Sequence, residues 1–314
     1  MSAERLAAID VGTNTVLLLV AERRGRTFAP VAERAEITRL GRGVDRTRRL
    51  DPAAVSETVR VLARFAAEAR SLGARIVACV ATSAARDASN GADFFRAAAA
   101  AAGLEPEVVS GEEEARLVYA SAWRDFGSPE GAREPLAVLD VGGGSTEYTW
   151  GDGPEPSGRV SLQVGAVRLS ERLSPSDPMT AADLARMRAE AREAVQQLAL
   201  PEARGLPSRA RLVAVAGTVT TLAAVHQALP VYDAQRVHGS RLESAQLEAL
   251  LARLAPLTVA ERARLPGMEP KRADVIVAGC AIVLEAMRAT GFERLTVSDR
   301  GVRWGLLYDR APGE

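Results

Sequence analysis

Two short stretches of similar sequence place a carboxylate beside small residues. LAAIDVGTNTVLLLV occupies residues 6–20, and LAVLDVGGGSTEYTW occupies residues 136–150. In each, an apolar run ends near an aspartate, Asp10 or Asp140, before a turn and a second apolar run. Glycine has no Cβ, so backbone N–H groups in such turns can close around an anion. The aspartate would repel a bare phosphate, and it becomes useful when a divalent cation lies between them.

Neither stretch matches the common nucleotide-binding fingerprints. The chain contains no G-x-x-x-x-G-K-[ST] loop, and the second stretch continues as a strand, whereas a dinucleotide fingerprint opens a helix. A single Asp-Gly hairpin is most often an ordinary tight turn. Two copies at the heads of two similar halves weaken that explanation, because two such turns could hold one phosphate chain from both sides.

Two further segments could bind an anion. In AGTVTTLAA, a buried strand precedes Gly217 and Thr218, and a helix N-terminus there would attract phosphate; alternatively, Thr218 simply caps the helix. In ATSAARDASN, Arg86 is expected in the first turn of a helix that opens near Ser83. The N-terminal end of a helix is unfavourable for a cation, so a bound anion would explain the position of Arg86. A solvated arginine is the simpler explanation.

The segment SGEEEARLVYASA (110–122) offers a candidate general base. Consecutive acids favour the first turn of a helix, so the run by itself needs no function. Helical spacing, however, places Glu114 on the face that Leu117 and Ser121 share, whereas Glu112 points to solvent. A carboxylate on a buried face is costly unless it has a partner or a task. Glu114 is therefore the candidate to accept a proton.

These parts indicate metal-assisted phosphoryl transfer with water as the acceptor. The sequence shows no cysteine or histidine in a recognisable nucleophile setting, and two histidines cannot by themselves form a histidine-rich metal site. Cys79 and Cys280 lie in apolar runs and are expected to be buried thiols without a disulfide.

The elements that must position these residues alternate between strands and helices. Apolar runs predict strands at 6–11, 15–21, 75–82, 105–110, 136–150, 159–164, 211–215 and 294–298, and amphipathic segments predict helices at 52–72, 91–103, 110–122, 180–199, 243–254 and 271–290. This order predicts an α/β fold with largely parallel sheets, duplicated, with a cleft between two domains. The linker-like segment 124–135 places the boundary at 1–128 and 129–314.

Composition excludes several classes of protein. The chain has 314 residues, of which 47% are hydrophobic, so it can bury a sizeable core. Lys+Arg and Asp+Glu both number 40, so no global charge directs the chain to nucleic acid or membrane. Neither a signal peptide nor a membrane-spanning run is expected, and we expect a cytoplasmic protein. The segment 33–50 is polar, glycine-punctuated and rich in arginine; a solvated loop is its ordinary explanation, and contact with a polyanion is the alternative.

The motifs taken together resemble the exopolyphosphatase and guanosine pentaphosphate phosphohydrolase (Ppx/GppA) family. The matching stretches, in chain order, are AAIDVGTNTVLLLV, RLGRGVD, ATSAARDASN, SGEEEARLVY, LDVGGGSTE, AGTVTTLAA, RVHG, KRADVIVAG and SDRGVRWGLLYD. The resemblance implies the duplicated actin-like, sugar-kinase-like (ribonuclease H-like) ATPase-type fold. Because the chain ends soon after the last motif, we expect a short two-domain member that lacks the helical domain of longer relatives.

The resemblance also implies roles for individual residues. Glu114 would activate the attacking water. Asp10, Asp140 and Glu147 would hold Mg²⁺, for which Mn²⁺ could substitute. The phosphate-binding residues would be Gly12, Thr13, Asn14, Arg86, Gly142, Gly143, Gly144, Ser145, Thr146, Gly217, Thr218 and Arg272.

The resemblance implies a hydrolase of phosphoanhydride bonds. The first expectation is release of terminal orthophosphate from inorganic polyphosphate. Alternatives are removal of the 5′ γ-phosphate of pppGpp, in the stringent response, and a member that binds alarmone or nucleotide without turnover. A sugar or acetate kinase of the same superfamily fits the motifs less well. We expect a small-molecule substrate without a nucleic-acid or membrane partner, and a homodimer is compatible with the sequence.

Overall fold

The computed structural model describes residues 4–127, 134–199, 206 and 210–311. The chain divides into two compact units, one formed by residues up to Leu117 together with those from Val302 onward, the other by Val118–Gly301. The chain passes from the first unit to the second inside the helix Gly111–Phe126, and it returns to the first unit between Gly301 and Val302. The sequence-based boundary at 128/129 rested on linker-like composition, and residues 128–133 are outside the described part, so that domain division stays a prediction.

Both units are built on a β-sheet. The strands are β1 (Arg5–Val11), β2 (Thr15–Arg24), β3 (Thr27–Ile37), β4 (Arg75–Ala81), β5 (Glu107–Val108), β6 (Leu136–Val141), β7 (Thr146–Gly151), β8 (Gly158–Leu162), β9 (Arg211–Val215), β10 (Arg241–Glu243) and β11 (Arg294–Val297). The first sheet has the order β3-β2-β1-β4-β5, and the second has the order β10-β11-β9-β6-β7-β8.

The second sheet repeats the topology of the first. In both, an antiparallel meander (β1-β2-β3 or β6-β7-β8) continues into parallel strands (β1-β4-β5 or β6-β9-β11), and β10 adds an antiparallel edge to the second sheet alone. The predicted duplication is therefore confirmed. The expectation of largely parallel sheets is wrong, because each meander is antiparallel and makes its sheet mixed.

Helices connect and cover the strands. They are α1 (Val44–Thr47), α2 (Pro52–Ser71), α3 (Ser83–Asp87), α4 (Gly91–Ala102), α5 (Gly111–Phe126), α6 (Ala166–Leu173), α7 (Ala181–Ala194), α8 (Ala216–His226), α9 (Ala234–Val237), α10 (Ser244–Leu254), α11 (Val259–Arg262), α12 (Ile276–Thr290) and α13 (Val302–Arg310), with 3₁₀ turns at Gln196–Ala199 and Pro270–Arg272.

Local sequence explains the best-defined helix ends. The Asp51 carboxylate accepts hydrogen bonds from the amides of Ala53 and Ala54, and Pro52 occupies the first helical position of α2. Gly103 ends α4 with φ 64°, a left-handed conformation that favours glycine. These punctuation residues are why α2 and α4 begin and end close to the predicted positions.

Each unit has its own hydrophobic core. The first core joins β1, β2 and β4 to α2 and α4. The second core joins β6 and β9 to α8, α10 and α12, and α12 is buried on nearly every side. A helix that is apolar all round belongs in such an interior position. Cys79 and Cys280 are both free and buried, as predicted.

Several elements were not predicted from the sequence. The strand β3 was missed, and its last residues, 33–37, lie in the segment 33–50 that was expected to be a solvated loop, because this half-exposed strand carries charges that resemble such a loop. The helices α6 and α13 and the short strand β10 were also missed. Within the described residues, no helix is long and apolar enough to cross a membrane.

Candidate active site

The first candidate phosphate turn joins β1 to β2. The amide of Gly12 donates to the carbonyl of Thr15 at 3.0 Å and closes the turn. A Cβ on Gly12 would lie 3.1 Å from that same carbonyl oxygen, so the turn is tight there. Asp10 is buried on β1 and is opposite Leu17 in the register of the hairpin. The turn therefore has one strand-borne carboxylate beside it.

The segment that follows β3 holds this turn in place. The amide of Gly41 donates to the carbonyl of Thr13 at 2.8 Å, and the amides of Thr38 and Arg39 donate to the carbonyl of Asn14 at 3.1 and 3.0 Å. A Cβ on Gly41 would lie 2.3 Å from Cγ2 of Thr13, so only glycine allows this approach. Sequence reasoning missed this support; its signal was the first glycine of RLGRGVD.

Arg86 and Glu114 are neighbours in the first unit. Nη1 of Arg86 donates to the carbonyl of Val109 at 2.9 Å and lies 4.0 Å from Oε2 of Glu114. The amide of Thr82 donates to the carbonyl of Val11 at 3.1 Å, which fastens the start of α3 to the end of β1. The argument that Arg86 occupies an unfavourable first turn is wrong, because α3 is so short that Arg86 is also in its last turn.

Glu114 has the inward position that helical spacing predicted. It is buried on α5, with 9% of its surface exposed, while Glu112 is exposed. The hydroxyl of Ser110 accepts a hydrogen bond from the amide of Glu113 at 3.1 Å, which caps the start of α5. The buried position of Glu114 is confirmed; its role as a base stays a prediction.

The second candidate phosphate turn repeats the first. The amide of Gly142 donates to the carbonyl of Ser145 at 3.1 Å, as Gly12 does in the first turn. The difference lies in the strands: Asp140 on β6 is directly opposite Glu147 on β7, whereas Leu17 occupies the matching position in the first hairpin. Only the second hairpin therefore carries a cross-strand pair of carboxylates.

This pair of carboxylates is unfavourable without a positive charge. Asp140 and Glu147 are both buried, and like charges directly opposite each other destabilise a sheet. Burial raises the pKa of Asp140. The hydroxyl of Ser161 on β8 donates to Oε1 of Glu147 at 2.9 Å. Buried carboxylate oxygens in this arrangement fit a hard divalent cation such as Mg²⁺ or Mn²⁺.

The start of α6 supports the glycines of the second turn. The amides of Ala166 and Val167 donate to the carbonyls of Gly142 and Gly143, both at 2.9 Å. These amides are at the helix N-terminus, where no carbonyl of the helix itself can accept from them. The turn is thus held through its carbonyl groups.

Arg168 within α6 and Gly165 just before it also contact the second glycine turn. Nε of the buried Arg168 donates to the carbonyl of Gly144 at 2.7 Å. A Cβ on Gly165 would lie 2.5 Å from the carbonyl carbon of Gly143, so the close approach requires glycine. Sequence reasoning missed both residues and Ser161, because their partners lie many residues earlier in the chain.

The remaining polar residues of the second turn are also ordered. Ser145 and Thr146 are buried. The hydroxyl of Thr146 donates to the carbonyl of Val164 at 2.7 Å, which ties β7 to the segment after β8. The side chain of Thr146 therefore has a structural contact in addition to its predicted place beside phosphate.

The third candidate turn brings Arg272 onto Gly217. A Cβ on Gly217 would lie 1.1 Å from Nη1 of Arg272, so the guanidinium occupies the space that a side chain would need. Burial lowers the pKa of Arg272 from its ordinary value. The hydroxyl of Thr218 donates to the carbonyl of Val141 at 3.0 Å. The alternative in which Thr218 caps the helix is wrong, because α8 already begins at Ala216.

Comparison with known proteins matches the chain to a family of enzymes over nearly its whole length. The model of the Ppx/GppA phosphatase family matches residues 19–314. The chain belongs to this family. It is 39% identical over 327 aligned positions to "Exopolyphosphatase 2" of Mycobacterium tuberculosis, covering 99% of this chain and 100% of that protein. It is 32% identical to "Exopolyphosphatase 1" of Mycobacterium bovis, covering 99% of this chain and 89% of that protein.

A solved family member supports the same assignment. The Ppx/GppA protein of Aquifex aeolicus is 32% identical and superposes with a TM-score of 0.80, covering 98% of this chain and 97% of that chain. The predicted duplicated actin-like fold is thereby confirmed. As a Ppx/GppA member, the chain is an enzyme, a hydrolase that acts on phosphoanhydride bonds.

Each unit of this Ppx/GppA chain gathers a different part of the predicted machinery. The first unit holds one glycine turn, a buried carboxylate on a helix and a nearby arginine; the second holds the other glycine turn, the cross-strand carboxylates and an arginine over a helix start. The described contacts within the second unit also connect its turns, because Thr218 donates to the strand residue that precedes Gly142.

Proposed function

We propose that this chain is an exopolyphosphatase, which releases terminal orthophosphate from inorganic polyphosphate with the help of Mg²⁺. The observation that carries the proposal is the carboxylate pair Asp140 and Glu147, in register on both sides of a glycine turn. Two carboxylates beside phosphate-binding amides suit a substrate that arrives with a divalent cation. The relatives named exopolyphosphatase match this chain over nearly its full length, which favours polyphosphate as the substrate.

The substrate would be bound through backbone amides and arginines. The amides of the two glycine turns, Gly12–Asn14 and Gly142–Thr146, would donate to phosphate oxygens. Gly217 and Thr218 would add the start of α8. Arg86 and Arg272 would offer planar guanidinium donors, which match the geometry of phosphate oxygens.

The cation would be held by Asp140 and Glu147, with Asp10 as the further carboxylate that the family resemblance assigns. When bound, Mg²⁺ would neutralise the charge of the substrate and of these carboxylates. The contact from Ser161 to Glu147 supports this assignment, because carboxylates that bind a metal are usually oriented by a second hydrogen bond.

Glu114 would take the proton from the attacking water. The water oxygen would form a new bond to the terminal phosphorus while the bond from that phosphorus to the bridging oxygen breaks. The shortened chain leaves with the electron pair of that bond, and the proton removed by Glu114 passes to solvent or product. The buried position of Glu114 on α5 supports this role, because a general base must be held within reach of the water that it activates.

One parallel assay tests the proposal. Purified protein with Mg²⁺ would be offered tripolyphosphate, long-chain polyphosphate, pppGpp and ATP, and orthophosphate release would be measured for each. We expect turnover of polyphosphate to exceed that of both nucleotides. Faster turnover of pppGpp would replace the proposal with the pentaphosphatase alternative, and binding of nucleotide without release of phosphate from any substrate would indicate a non-hydrolytic member.

A further inference from the structure

A short arginine-rich segment of the first unit is exposed beside the first phosphate turn. We call residues 39–49 the arginine segment; it includes α1. Arg42, Arg46, Arg48 and Arg49 are all exposed. Within the part of the chain that the structure describes, none of these four side chains forms an ion pair with a carboxylate.

This lack of ion pairs distinguishes the segment from other exposed arginines of the same unit. Arg60 pairs with Glu57, and Arg64 pairs with Glu36 at 2.9 Å. Such pairing is the ordinary state of an arginine in a chain whose charges balance. A group of unneutralised guanidinium groups instead creates a local positive field that attracts anions.

Both ends of the arginine segment are fastened to parts of the proposed phosphate site. At its beginning, the amides of Arg39 and Gly41 donate to carbonyls of the first glycine turn. At its end, the amide and the hydroxyl of Ser89 donate to the carbonyl of Arg48 at 2.8 and 3.0 Å. Ser89 is three residues after Arg86, so the segment connects the first glycine turn to the region of Arg86, which is proposed to bind phosphate.

A further contact fixes the residue just beyond the segment. Oδ1 of Asn90 accepts from the amide of Leu50 at 2.8 Å, and Nδ2 of Asn90 donates to the carbonyl of Leu50 at 3.1 Å. The backbone between these anchors is also constrained, since Arg39 and Arg48 have φ of 54° and 55°. The guanidinium groups therefore project from a backbone of defined shape.

We propose that the arginine segment is a binding subsite for the distal phosphates of a chain polyanion whose terminal phosphate occupies the catalytic turns. This inference rests on the proposed function, because it takes inorganic polyphosphate as the ligand. Polyphosphate carries a negative charge on every unit, so several arginines can contact one chain. Such exposed contacts are weak individually and are screened by salt.

The segment should therefore matter for long chains and little for short ones. Tripolyphosphate would fill the catalytic turns and leave few phosphates to reach the arginines. Long-chain polyphosphate would contact both the catalytic turns and the arginine segment. The KM for long-chain polyphosphate should therefore be lower than the KM for tripolyphosphate at low ionic strength. This advantage should shrink as salt is added.

The test replaces three arginines and compares two chain lengths. The triple variant Arg42→Ala, Arg46→Ala, Arg49→Ala spares Arg48, because that residue adopts a left-handed backbone conformation. At low salt, we expect KM for long-chain polyphosphate to rise about tenfold. The KM for tripolyphosphate should stay within about twofold of wild type, and kcat should change little for both substrates.

A second triple variant controls for the loss of charge. Arg24→Ala, Arg26→Ala, Arg75→Ala removes three exposed arginines at the end of the first sheet that is opposite the glycine turn. In the strand register, Arg75 of β4 is the neighbour of Leu6 near the start of β1, and Arg24 at the end of β2 is opposite Thr27 at the start of β3. We expect this control to leave the difference in KM between long and short chains intact. An equal rise in KM in both variants would show a general charge effect and overturn the subsite.

The outcomes separate failure of the subsite from failure of the proposed function. If wild type releases no phosphate from either polyphosphate, the proposed function is wrong. If wild type cleaves both and the first variant keeps the wild-type KM for long chains at low salt, the subsite is wrong. Single-stranded RNA that competes as well as long polyphosphate, at equal phosphate concentration, would overturn the choice of ligand.

Discussion

Among single residues, Glu114 has the most direct predicted effect on the chemistry. We expect Glu114→Gln to fold normally and to lower kcat by about 10²–10⁴-fold, the range typical of a lost general base. The amide keeps the size of the side chain but cannot take the proton from water. Orthophosphate release from polyphosphate, with circular dichroism as a folding check, measures this.

Glu112 offers a matched control on the same helix. It is exposed, two residues before the buried Glu114. Glu112→Gln should therefore retain nearly wild-type kcat. If Glu114→Gln turns over at the wild-type rate, the assignment of Glu114 as the base is wrong.

A second residue-scale prediction concerns Ser161, which orients Glu147 through a 2.9 Å hydrogen bond. Ser161→Ala should weaken binding of Mn²⁺ by about 10–100-fold, because Glu147 would lose the contact that directs its carboxylate. Direct titration with Mn²⁺, followed by paramagnetic resonance of the free ion, measures this without turnover. Ser161→Thr keeps a hydroxyl and should retain much of the affinity. Equal affinity in wild type and Ser161→Ala would contradict a positioning role.

At the scale of elements, the start of α7 carries a pH-dependent cap. Thr180 accepts a hydrogen bond from the amide of Asp183, and the Asp183 carboxylate accepts from the hydroxyls of Thr180 and Ser176. The hydroxyl of Ser176 is the largest influence that lowers the pKa of Asp183 from 3.8 to about 2. The ionised carboxylate therefore has better partners in the folded protein than in the unfolded chain.

The direction of this effect follows from the lowered pKa. Asp183 contributes stability above the unfolded value of 3.8, and this contribution is lost as the pH falls towards about 2. We expect Asp183→Asn to lower Tm at neutral pH, with a difference from wild type that shrinks as the pH is lowered from about 5 to about 3. Thermal unfolding followed across this range measures it. A Tm difference that stays constant with pH would show that the charge of Asp183 has no role.

At the scale of the whole molecule, a divalent cation should affect activity and stability together. Asp140 and Glu147 are buried and directly opposed, so a bound cation would relieve their repulsion in the folded protein alone. Binding to the folded state raises Tm by mass action. We expect EDTA to abolish phosphate release and added Mg²⁺ to restore it, with a rise in Tm on adding Mg²⁺.

Variants at this pair provide the control for the metal prediction. The double variant Asp140→Asn, Glu147→Gln removes both charges, and its Tm should no longer respond to Mg²⁺. Full activity in excess EDTA would exclude a metal requirement. A rise in Tm with Mg²⁺ that persists in the double variant would place the bound ion elsewhere.

Features that depend on neighbouring residues were determined by the sequence itself. The twin hairpins followed from apolar runs separated by Asp-Val-Gly, because strand alternation and turn chemistry act over a few residues. The inward position of Glu114 followed from helical spacing alone. The alternation of strands and helices and the repeated stretches were enough to predict a duplicated α/β fold.

Contacts between distant parts of the chain were decided only by the tertiary structure. Ser161 reaches Glu147 because β8 lies beside β7. Arg272 covers Gly217 because the 3₁₀ turn Pro270–Arg272 ends against the start of α8. The amides of α6 support the second turn for the same reason. No local periodicity encodes such neighbours, since they depend on the order of strands in the sheet and on close packing at glycines. The sequence therefore determined which residues could do chemistry, while the packing of each unit decided which partners orient them.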